Sequence, residues 1–482
     1  MQTVKFFRRA QVPLEFHKVK VVQKVDLVSV ERRFDAIKEA KFNTFRLNTK
    51  DIFLDMLTDS GTNAMSDCQM SAMFRADEAY AGSASFERLA ESIDMVFGLK
   101  LILPVHQGRA AENIICKTFV KQGDIVPMNY HFTTSMAHIV ENGGEIAELL
   151  YDNALEIKSK EPFKGNMNLE KLDSLISKVG VEKIPFIRIE ASTNLIGGQP
   201  FSLKNLRGVH NIAKKHGVML VMDASLIGEN AYLIKEREAE CLNMSIAQIL
   251  KEMVSLSDMI YFSARKLSSS RGGAICTNRE DLFAKMQDLV PLYEGFFTYG
   301  GISIKEIESM AVGLMETVDE GVISQSPLFI EKLVSILDEN GIPVVMPAGV
   351  LGCHVDAKNF CSHIPQNEYP AGALAAAFYL ISGVRGMERG TISSTRDKDG
   401  NDILADMELL RLAIPRRVFT LSQIEYVADR LIWLFENRDI IGGLRFVEEP
   451  RVLRFFKGGL EPVNDWPVKL MERFRLDFGD SL

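Results

Sequence analysis

The chain has 482 residues, of which 46% are hydrophobic and 25% charged, and its 56 Lys and Arg against 64 Asp and Glu give a formal net charge of −8. This composition is typical of a folded globular protein and excludes an intrinsically disordered one. A strong nucleic-acid binder carries a concentrated basic surplus, so the acidic balance argues against nucleic acid as a partner.

The cysteines and the first residues indicate the compartment. Six cysteines lie far apart and form no CxxC pair, which favours reduced thiols over a disulfide scaffold. The segment 1–20 keeps charged residues throughout and lacks the apolar core of a signal peptide. No apolar stretch approaches the roughly 18 residues that a membrane-spanning helix needs. We therefore expect a cytoplasmic protein with no membrane partner.

Short apolar runs alternate with helical patterns through the first part of the chain. The apolar runs predict strands at 99–105, 123–130, 182–191, 217–224 and 258–264. Helical spacing predicts helices at 110–120 and at 203–217, the second of which ends in a glycine. Strands that alternate with helices indicate βαβ units, so we predict an α/β fold with a mostly parallel, doubly wound sheet.

The pattern changes from about residue 311 onward. Longer helices are predicted at 326–341 and 421–438, with a strand-like run at 342–349 between them. We interpret this region as a second, α+β unit. The predicted domains are a large one at 58–310 and a smaller one assembled from 1–57 and 311–482.

Three of the predicted strand ends carry polar residues that together suggest a cofactor. Gly108 and Arg109 open a helix after the first strand, which is a typical anion site, although a glycine at such a turn is commonplace. Asp223 ends the run VMLVMD, where it could pair with a ring nitrogen or simply cap the next helix. Lys266 follows the strand at 258–264, in a turn where most lysines are solvated.

The combination is more specific than its parts. The carboxyl ends of parallel strands meet at one edge of a sheet, so these residues should share a cleft. Pyridoxal phosphate needs a lysine for a Schiff base, an acid for its ring nitrogen and an anion site for its phosphate. Phe132, after another strand, could stack on a flat ring or belong to the core. We therefore predict a fold-type I enzyme that depends on pyridoxal phosphate.

Several longer motifs then show a resemblance to a known family. They are LTDSGTNAMSD (57–67), DEAYAGSASF (77–86), LPVHQGRAAE (103–112), NLIGGQPFSLKNLR (194–207), GENAYLIKE (228–236), YEGFFTYGG (293–301), GVRGMERGTIS (383–393), RLAIPRRVF (411–419) and LRFF (453–456). These segments resemble the β-eliminating lyases, the family of tyrosine phenol-lyase and tryptophanase, from about residue 40 to 457. The resemblance implies an aspartate-aminotransferase-like fold, a homotetramer built as a dimer of dimers, and β-elimination from an aromatic amino acid to pyruvate, ammonia and the ring compound.

The resemblance also implies roles for individual residues. Lys266 would hold the cofactor and move the α-proton, and Tyr80 would protonate the leaving ring. The remaining residues that would bind the cofactor are Gln107, Gly108, Arg109, Phe132, Asn194, Asp223 and Ser263. Those that would bind the substrate are Thr58, Thr133, Arg389, Arg411 and Phe455, with Phe45 and Met387 as apolar walls.

The resemblance also implies a monovalent cation, K⁺, at Gly61 and Glu78. Within the family, two features favour the tyrosine type. Thr133 and Arg389 match residues that hold a phenol hydroxyl, and a site built to hydrogen-bond a hydroxyl rejects analogues without one. The first aromatic residue of LRFF, Phe455, stands where tryptophanases carry a histidine.

The chain departs from the family pattern around the cofactor. Leu226 stands where the family has an arginine that hydrogen-bonds the cofactor's phenolic oxygen, and Leu267 replaces an aspartate. Arg265 replaces a lysine, Phe296 replaces a pocket methionine, and the stretch before Gly272 is one residue shorter. The primary interpretation is a carbon–carbon lyase that acts on tyrosine or a substituted tyrosine. A pyridoxal-phosphate enzyme of altered reaction, such as carbon–sulfur elimination, and a non-catalytic cofactor-binding relative are the alternatives.

Overall fold

The structure is a computed structural model that describes residues 12–394, 396–450 and 453–482. The β-strands are β1 (Leu54–Asp55), β2 (Leu101–Val105), β3 (Ile125–Met128), β4 (Glu145–Glu148), β5 (Ile187–Glu190), β6 (Leu220–Asp223), β7 (Met259–Ser263), β8 (Gly273–Thr277), β9 (Gly352–Asp356), β10 (Val384–Arg385), β11 (Met387–Arg389), β12 (Leu409–Ala413), β13 (Leu444–Glu448) and β14 (Gly459–Pro462). The first helices are α1 (Val30–Glu39), α2 (Asp67–Met73), α3 (Ala84–Phe97), α4 (Gly108–Phe119), α5 (Thr133–Glu141), α6 (Leu169–Val179), α7 (Leu203–His216), α8 (Ile227–Arg237), α9 (Ile246–Ser255) and α10 (Ala264–Leu267). The others are α11 (Glu280–Gln287), α12 (Leu289–Tyr293), α13 (Ile304–Glu316), α14 (Glu320–Ile323), α15 (Gln325–Glu339), α16 (Ala357–Phe360), α17 (Pro370–Ser382), α18 (Leu421–Glu436), α19 (Arg454–Lys457) and α20 (Trp466–Phe478).

A seven-stranded sheet forms the centre of the larger half, in the order β2-β8-β7-β6-β5-β3-β4. Its strands run parallel except β8, which pairs antiparallel with both β2 and β7. The predicted α/β fold with a mostly parallel sheet is therefore confirmed. The connection from β7 to β8 holds only the one-turn helix α10, and so short a link returns the chain antiparallel instead of crossing over the sheet.

The central strands are buried on both faces, as expected for a sheet that helices cover on two sides. Helix α7 illustrates the covering layer. Its buried side chains include Leu206, Val209 and Ala213, which recur at helical spacing, and it ends at Gly217 in the left-handed conformation with φ of 69°. This packing fixes the carboxyl ends of the strands, where the site lies.

A second core joins the two ends of the chain. Buried apolar residues between Val30 and Leu57 pack in one cluster with residues from Phe329 to Phe474. A three-stranded antiparallel sheet, in the order β11-β12-β9, lies in this part of the molecule. The predicted domain boundaries at residues 57 and 310 stay a prediction.

The prediction of a strand-like run at 342–349 is wrong. The run forms only an isolated bridge, between Val344 and Val355. Pro343 and Pro347 interrupt the run, and because proline has no N–H to donate, it does not extend a ladder. Among the described residues, no helix is both long and apolar enough to cross a membrane.

Candidate active site

A cavity of about 280 Å³ opens where the central strands end. Most of the predicted site residues line it: Thr58, Gln107, Gly108, Arg109, Phe132, Thr133, Asn194, Asp223, Ser263, Lys266, Arg389, Arg411 and Phe455. These side chains come from segments more than 350 residues apart in sequence, from Thr58 to Phe455. The fold therefore gathers in one place what the sequence holds in separate motifs.

The first helix terminus at the cavity forms an anion cradle. Gln107 is extended, with φ of −174°, and α4 starts at the next residue, so the free N–H groups of its first turn face the cavity edge. A Cβ built on Gly108 would lie 3.1 Å from Cβ of Ser263, so only a glycine lets these two elements approach so closely. The guanidinium of Arg109 forms no hydrogen bond or ion pair with the part of the chain that the structure describes. The cradle thus has the shape and charge of a phosphate site.

Asp223 is buried and firmly held at the end of β6. Its Oδ2 accepts hydrogen bonds from Arg188 Nη2 at 2.8 Å and from the Tyr261 hydroxyl at 3.1 Å, and its Oδ1 accepts one from the backbone N–H of Ser225 at 3.1 Å. The helix-capping alternative does not apply, because α8 begins after Leu226, whose apolar side chain makes no cap. Three donors therefore fix the orientation of this buried carboxylate.

Lys266 lies on the one-turn helix α10 with its amine in the cavity. Its Nζ lies 5.2 Å from the ring centroid of Phe132 and forms no hydrogen bond or ion pair with the described residues. Its carbonyl is fixed from behind by Asn63 Nδ2 at 3.1 Å and by Arg416 Nη2 at 2.8 Å. The backbone is therefore anchored while the amine stays available for chemistry.

Two buried arginines face the cavity from neighbouring strands. Arg411 donates from Nη1 to Asn194 Oδ1 at 3.0 Å and from Nη2 to the carbonyl of Leu57 at 2.7 Å. Arg389 donates from Nη1 to Thr133 Oγ1 at 3.5 Å. Burial lowers the pKa of Arg411 to about 10, and burial together with Arg411 lowers the pKa of Arg389 to about 9.

Neither guanidinium is neutralised within the described residues, since no carboxylate forms an ion pair with either one. In both arginines Nε is buried without a hydrogen-bond partner, as is Nδ2 of Asn194. Unpaired buried charges and donors are costly unless a ligand satisfies them. The pair therefore marks where an anionic or hydroxyl-bearing ligand would bind.

Aromatic rings close the remaining side of the cavity. Phe45 meets Phe455 edge-on at 5.4 Å between centroids and Phe456 at 5.1 Å. Leu226 and Met387 add further apolar surface. Arg389 lies 5.9 Å from the ring of Phe132 and 6.0 Å from that of Phe455. The cavity thus combines an apolar slot with a charged donor, which suits an aromatic ring that bears a hydroxyl.

Three predicted residues are not brought to this cavity. The Tyr80 side chain is 70% exposed and packs with Phe296 and Tyr299 at 5.5 and 5.4 Å between centroids. Glu78 is exposed and makes no ion pair with the described residues. A Cβ built on Gly61 would lie 2.6 Å from Nη2 of Arg265. Because a guanidinium lies beside that glycine, the residues present do not fit a monovalent cation there.

Sequence reasoning missed a group of ionisable residues under the cavity. Glu112 and Glu190 line it, and Arg188 and Tyr261 link them to Asp223. One signal could have found part of this group. Arg188 and Glu190 lie two positions apart in an otherwise apolar strand, so they point to the same face of the sheet.

Comparison with known proteins then decides the family. A family model described as beta-eliminating lyase matches residues 55–430. The chain belongs to the β-eliminating lyase family. Its predicted resemblance is therefore confirmed over most of its length.

Curated relatives cover nearly the whole of this β-eliminating lyase. The tyrosine phenol-lyase of Pasteurella multocida is 44% identical over 452 residues, which are 93% of this chain and 99% of that protein. The tyrosine phenol-lyase of Lacrimispora saccharolytica is 44% identical over 455 residues, 94% of this chain and 97% of the other. That of Nostoc punctiforme is 41% identical, with 94% and 98% covered.

More distant solved structures support the fold. An SPT solved with PLP has a TM-score of 0.58 at 13% identity and covers 86% of this chain and 98% of its own. An aminotransferase from Staphylococcus aureus has a TM-score of 0.54 at 14% identity, with 80% and 94% covered. The fold is that of fold-type I pyridoxal-phosphate enzymes, and this β-eliminating lyase is a pyridoxal-phosphate-dependent lyase.

The residues of the cavity fit pyridoxal phosphate. The glycine cradle with Arg109 suits its phosphate, the Lys266 amine without a partner suits its aldehyde, and the fixed Asp223 suits its ring nitrogen. Phe132 lies beside the amine, where a flat ring could stack on it. The cofactor would thus span the cavity from α4 to β6.

Proposed function

We propose that this β-eliminating lyase cleaves tyrosine, or a tyrosine with a substituted ring, to pyruvate, ammonia and a phenol. The observation that carries the proposal is the pair Arg389 and Arg411, two buried guanidiniums that line one cavity without an ion pair among the described residues. One suits an α-carboxylate and the other a phenol hydroxyl. The names of the curated relatives support the same substrate.

The two ends of the substrate would be fixed by separate groups. Arg411 would bind the α-carboxylate together with Asn194, whose free Nδ2 supplies a second donor. Arg389 would donate to the phenol oxygen, and Thr133, which already contacts Arg389, would add a hydroxyl. Phe455 and Thr58 line the space between these ends. The ring would thereby be oriented in the apolar slot.

The cofactor would be held by the residues that fit it. Gln107, Gly108, Arg109 and Ser263 would bind the phosphate, and Phe132 would stack on the ring. Bound pyridoxal phosphate supplies an electron sink that stabilises negative charge at the substrate's α-carbon. Asp223 would keep the ring nitrogen protonated, because a fixed carboxylate favours a nearby positive charge.

Lys266 would hold the cofactor covalently and then move the proton at the substrate's α-carbon. Its free amine and anchored carbonyl suit both tasks, since the amine can swing while the helix turn stays fixed. Proton transfer by a positioned side chain contributes typically about 10²- to 10⁴-fold to a rate.

Tyr80 would supply the proton to the ring carbon that leaves. Because Tyr80 does not line the cavity of its own chain, this role requires a second copy that brings it there. We therefore propose the homotetramer as the active form, with Tyr80 on an exposed aromatic cluster next to Phe296 and Tyr299. A cytoplasmic location stays a prediction. The proposed function includes no potassium ion, because Arg265 lies beside Gly61.

Reduction with borohydride tests whether the site carries the cofactor. The purified protein should be yellow, its visible band should disappear on reduction, and mass spectrometry should place the reduced cofactor on Lys266. Lys266→Ala should lack both the band and the adduct. A colourless wild-type protein that ignores added cofactor would overturn the proposal. Pyruvate from S-methylcysteine without phenol from tyrosine would favour carbon–sulfur elimination instead.

A further inference from the structure

Two charged residues of β5 lie beside Asp223 and have no part in the proposed function. Arg188 is fully buried and reaches four neighbours. Its Nη2 donates to Asp223 at 2.8 Å and its Nε to the Tyr261 hydroxyl at 2.9 Å, while Nη1 donates to Glu190 Oε2 at 3.2 Å and to the carbonyl of Tyr130 at 3.5 Å. One guanidinium therefore joins two carboxylates that belong to adjacent strands.

Glu190 faces the cavity at the same level as Asp223. The two residues are register partners in the parallel pair β5 and β6, so their side chains leave the sheet on the same side. Glu190 lines the cavity, and its Oε1 accepts a hydrogen bond from the backbone N–H of Asn194 at 3.2 Å. A ring held against Asp223 would therefore meet Glu190 along its neighbouring edge.

Several charged groups surround Glu190. The charged and titratable groups that face it from the surrounding elements are Arg188, Asp223, Tyr261, Glu112, Lys266 and Arg389. Burial raises the pKa of Glu190, and it raises that of Glu112 to about 7. The nearest cation, Arg188, is hydrogen-bonded to both Glu190 and Asp223, which offsets part of the cost of burying their charges.

Stability alone gives little reason for such a group. A buried ion pair is often no better for folding than an apolar pair of the same volume, because both charges lose their hydration. Leu226 presents only carbon atoms to the cavity, so it offers the ring no hydrogen bond. Glu190 is a polar wall that can interact with the ring.

We propose that Glu190, held in place by Arg188, contacts the bound cofactor ring beside Asp223 and sets how readily the cofactor takes up a proton. This inference rests on the proposed function for the presence of the cofactor. Glu190 is then a cofactor-contacting residue, and Arg188 is a positioning residue that fixes both carboxylates. A negative charge next to the ring favours the protonated form of the cofactor.

The test is a pH titration of the visible band in the holoprotein. Glu190→Gln keeps the size and the hydrogen-bonding reach of the side chain and removes its charge. The midpoint of the titration should fall by about one pH unit, the scale of a unit charge removed at close range. Glu388→Gln is the matched control, because Glu388 is also a buried carboxylate, lies outside the cavity and should leave the midpoint unchanged.

Further variants guard against misfolding. Arg188→Gln alone leaves buried carboxylates without their cation, whereas the Arg188→Gln, Glu190→Gln double variant removes both charges and should fold better. The double variant should also show a lowered midpoint. Arg188→Lys keeps a positive charge, so its midpoint should lie closer to the wild-type value than that of Arg188→Gln. An unchanged or higher midpoint in a folded Glu190→Gln or double variant would overturn the inference. Absence of the visible band from the wild-type protein would instead contradict the proposed function.

Discussion

Replacing Arg389 by methionine separates recognition of the phenol from the rest of the reaction. Its guanidinium is buried, touches Thr133 at 3.5 Å and leaves Nε without a partner. Burial lowers its pKa to about 9, so it is still charged near neutral pH. Methionine fills similar space and removes every donor. The variant should fold, because the charge that it removes has no ion-pair partner among the described residues.

The size of the effect follows from the contact that is lost. A hydrogen bond from a charged donor to a buried hydroxyl contributes about 1.5–3 kcal/mol. At about 1.4 kcal/mol per factor of ten, kcat/KM for tyrosine should fall by about 10- to 150-fold. S-methylcysteine has no phenol hydroxyl, so its kcat/KM should change by less than about threefold.

Pyruvate release from both substrates is the assay, with Arg411→Lys as the control. Arg411 would bind the α-carboxylate that both substrates share, and lysine cannot reproduce its fork of donors. The control should therefore lose activity on tyrosine and on S-methylcysteine alike. If Arg389→Met lowers kcat/KM equally for both substrates, or leaves kcat/KM for tyrosine unchanged, the proposed role of Arg389 at the phenol is wrong.

Three other predictions test separate parts of the site. Leu226→Arg should shift the visible band and raise elimination, and an unchanged spectrum would point to another group at that contact. If each site combines two chains, reassembling a mixture of inactive Lys266→Ala and inactive Tyr80→Phe subunits should restore about a quarter of wild-type pyruvate formation. Half of randomly formed dimers contain one subunit of each kind, and each of these dimers has one intact site out of two. No recovery of activity would place Tyr80 and Lys266 in the same chain's site. Burial raises the pKa of Glu388 to about 7, so stability should fall by up to about 3 kcal/mol as pH rises from about 4.5 to 7, and Glu388→Gln should flatten this slope in urea unfolding.

Most of the fold could be predicted from the sequence, because each strand is marked by the residues within it and next to it. The run that ends at Asp223 and the run that ends at Ser263 are short, apolar and bounded by polar residues, and both form buried parallel strands. The reversal of β8 depends instead on how few residues separate it from β7. The failed strand at 342–349 shows that apolar character is not enough where Pro343 and Pro347 remove the ladder donors.

The site was predicted where a residue's chemistry is unusual for its position. Lys266 after a buried strand and Asp223 at a strand end are such cases. The motif around Tyr80 did not predict its position, because Tyr80 lies on the surface of the single chain and outside the cavity. Arg188 and Glu190 were missed because single charges in a strand are usually assigned to its exposed face, and only the register with β6 places them beside Asp223.

In the proposed reaction, this cavity cleaves the carbon–carbon bond between the side chain and the ring of tyrosine. The direct measurement is the amount of phenol and pyruvate formed from tyrosine by the purified holoprotein, alongside Lys266→Ala. We predict equal amounts of the two products from the wild-type protein and neither from the variant. Pyruvate without phenol, or equal activity in the variant, would contradict the account.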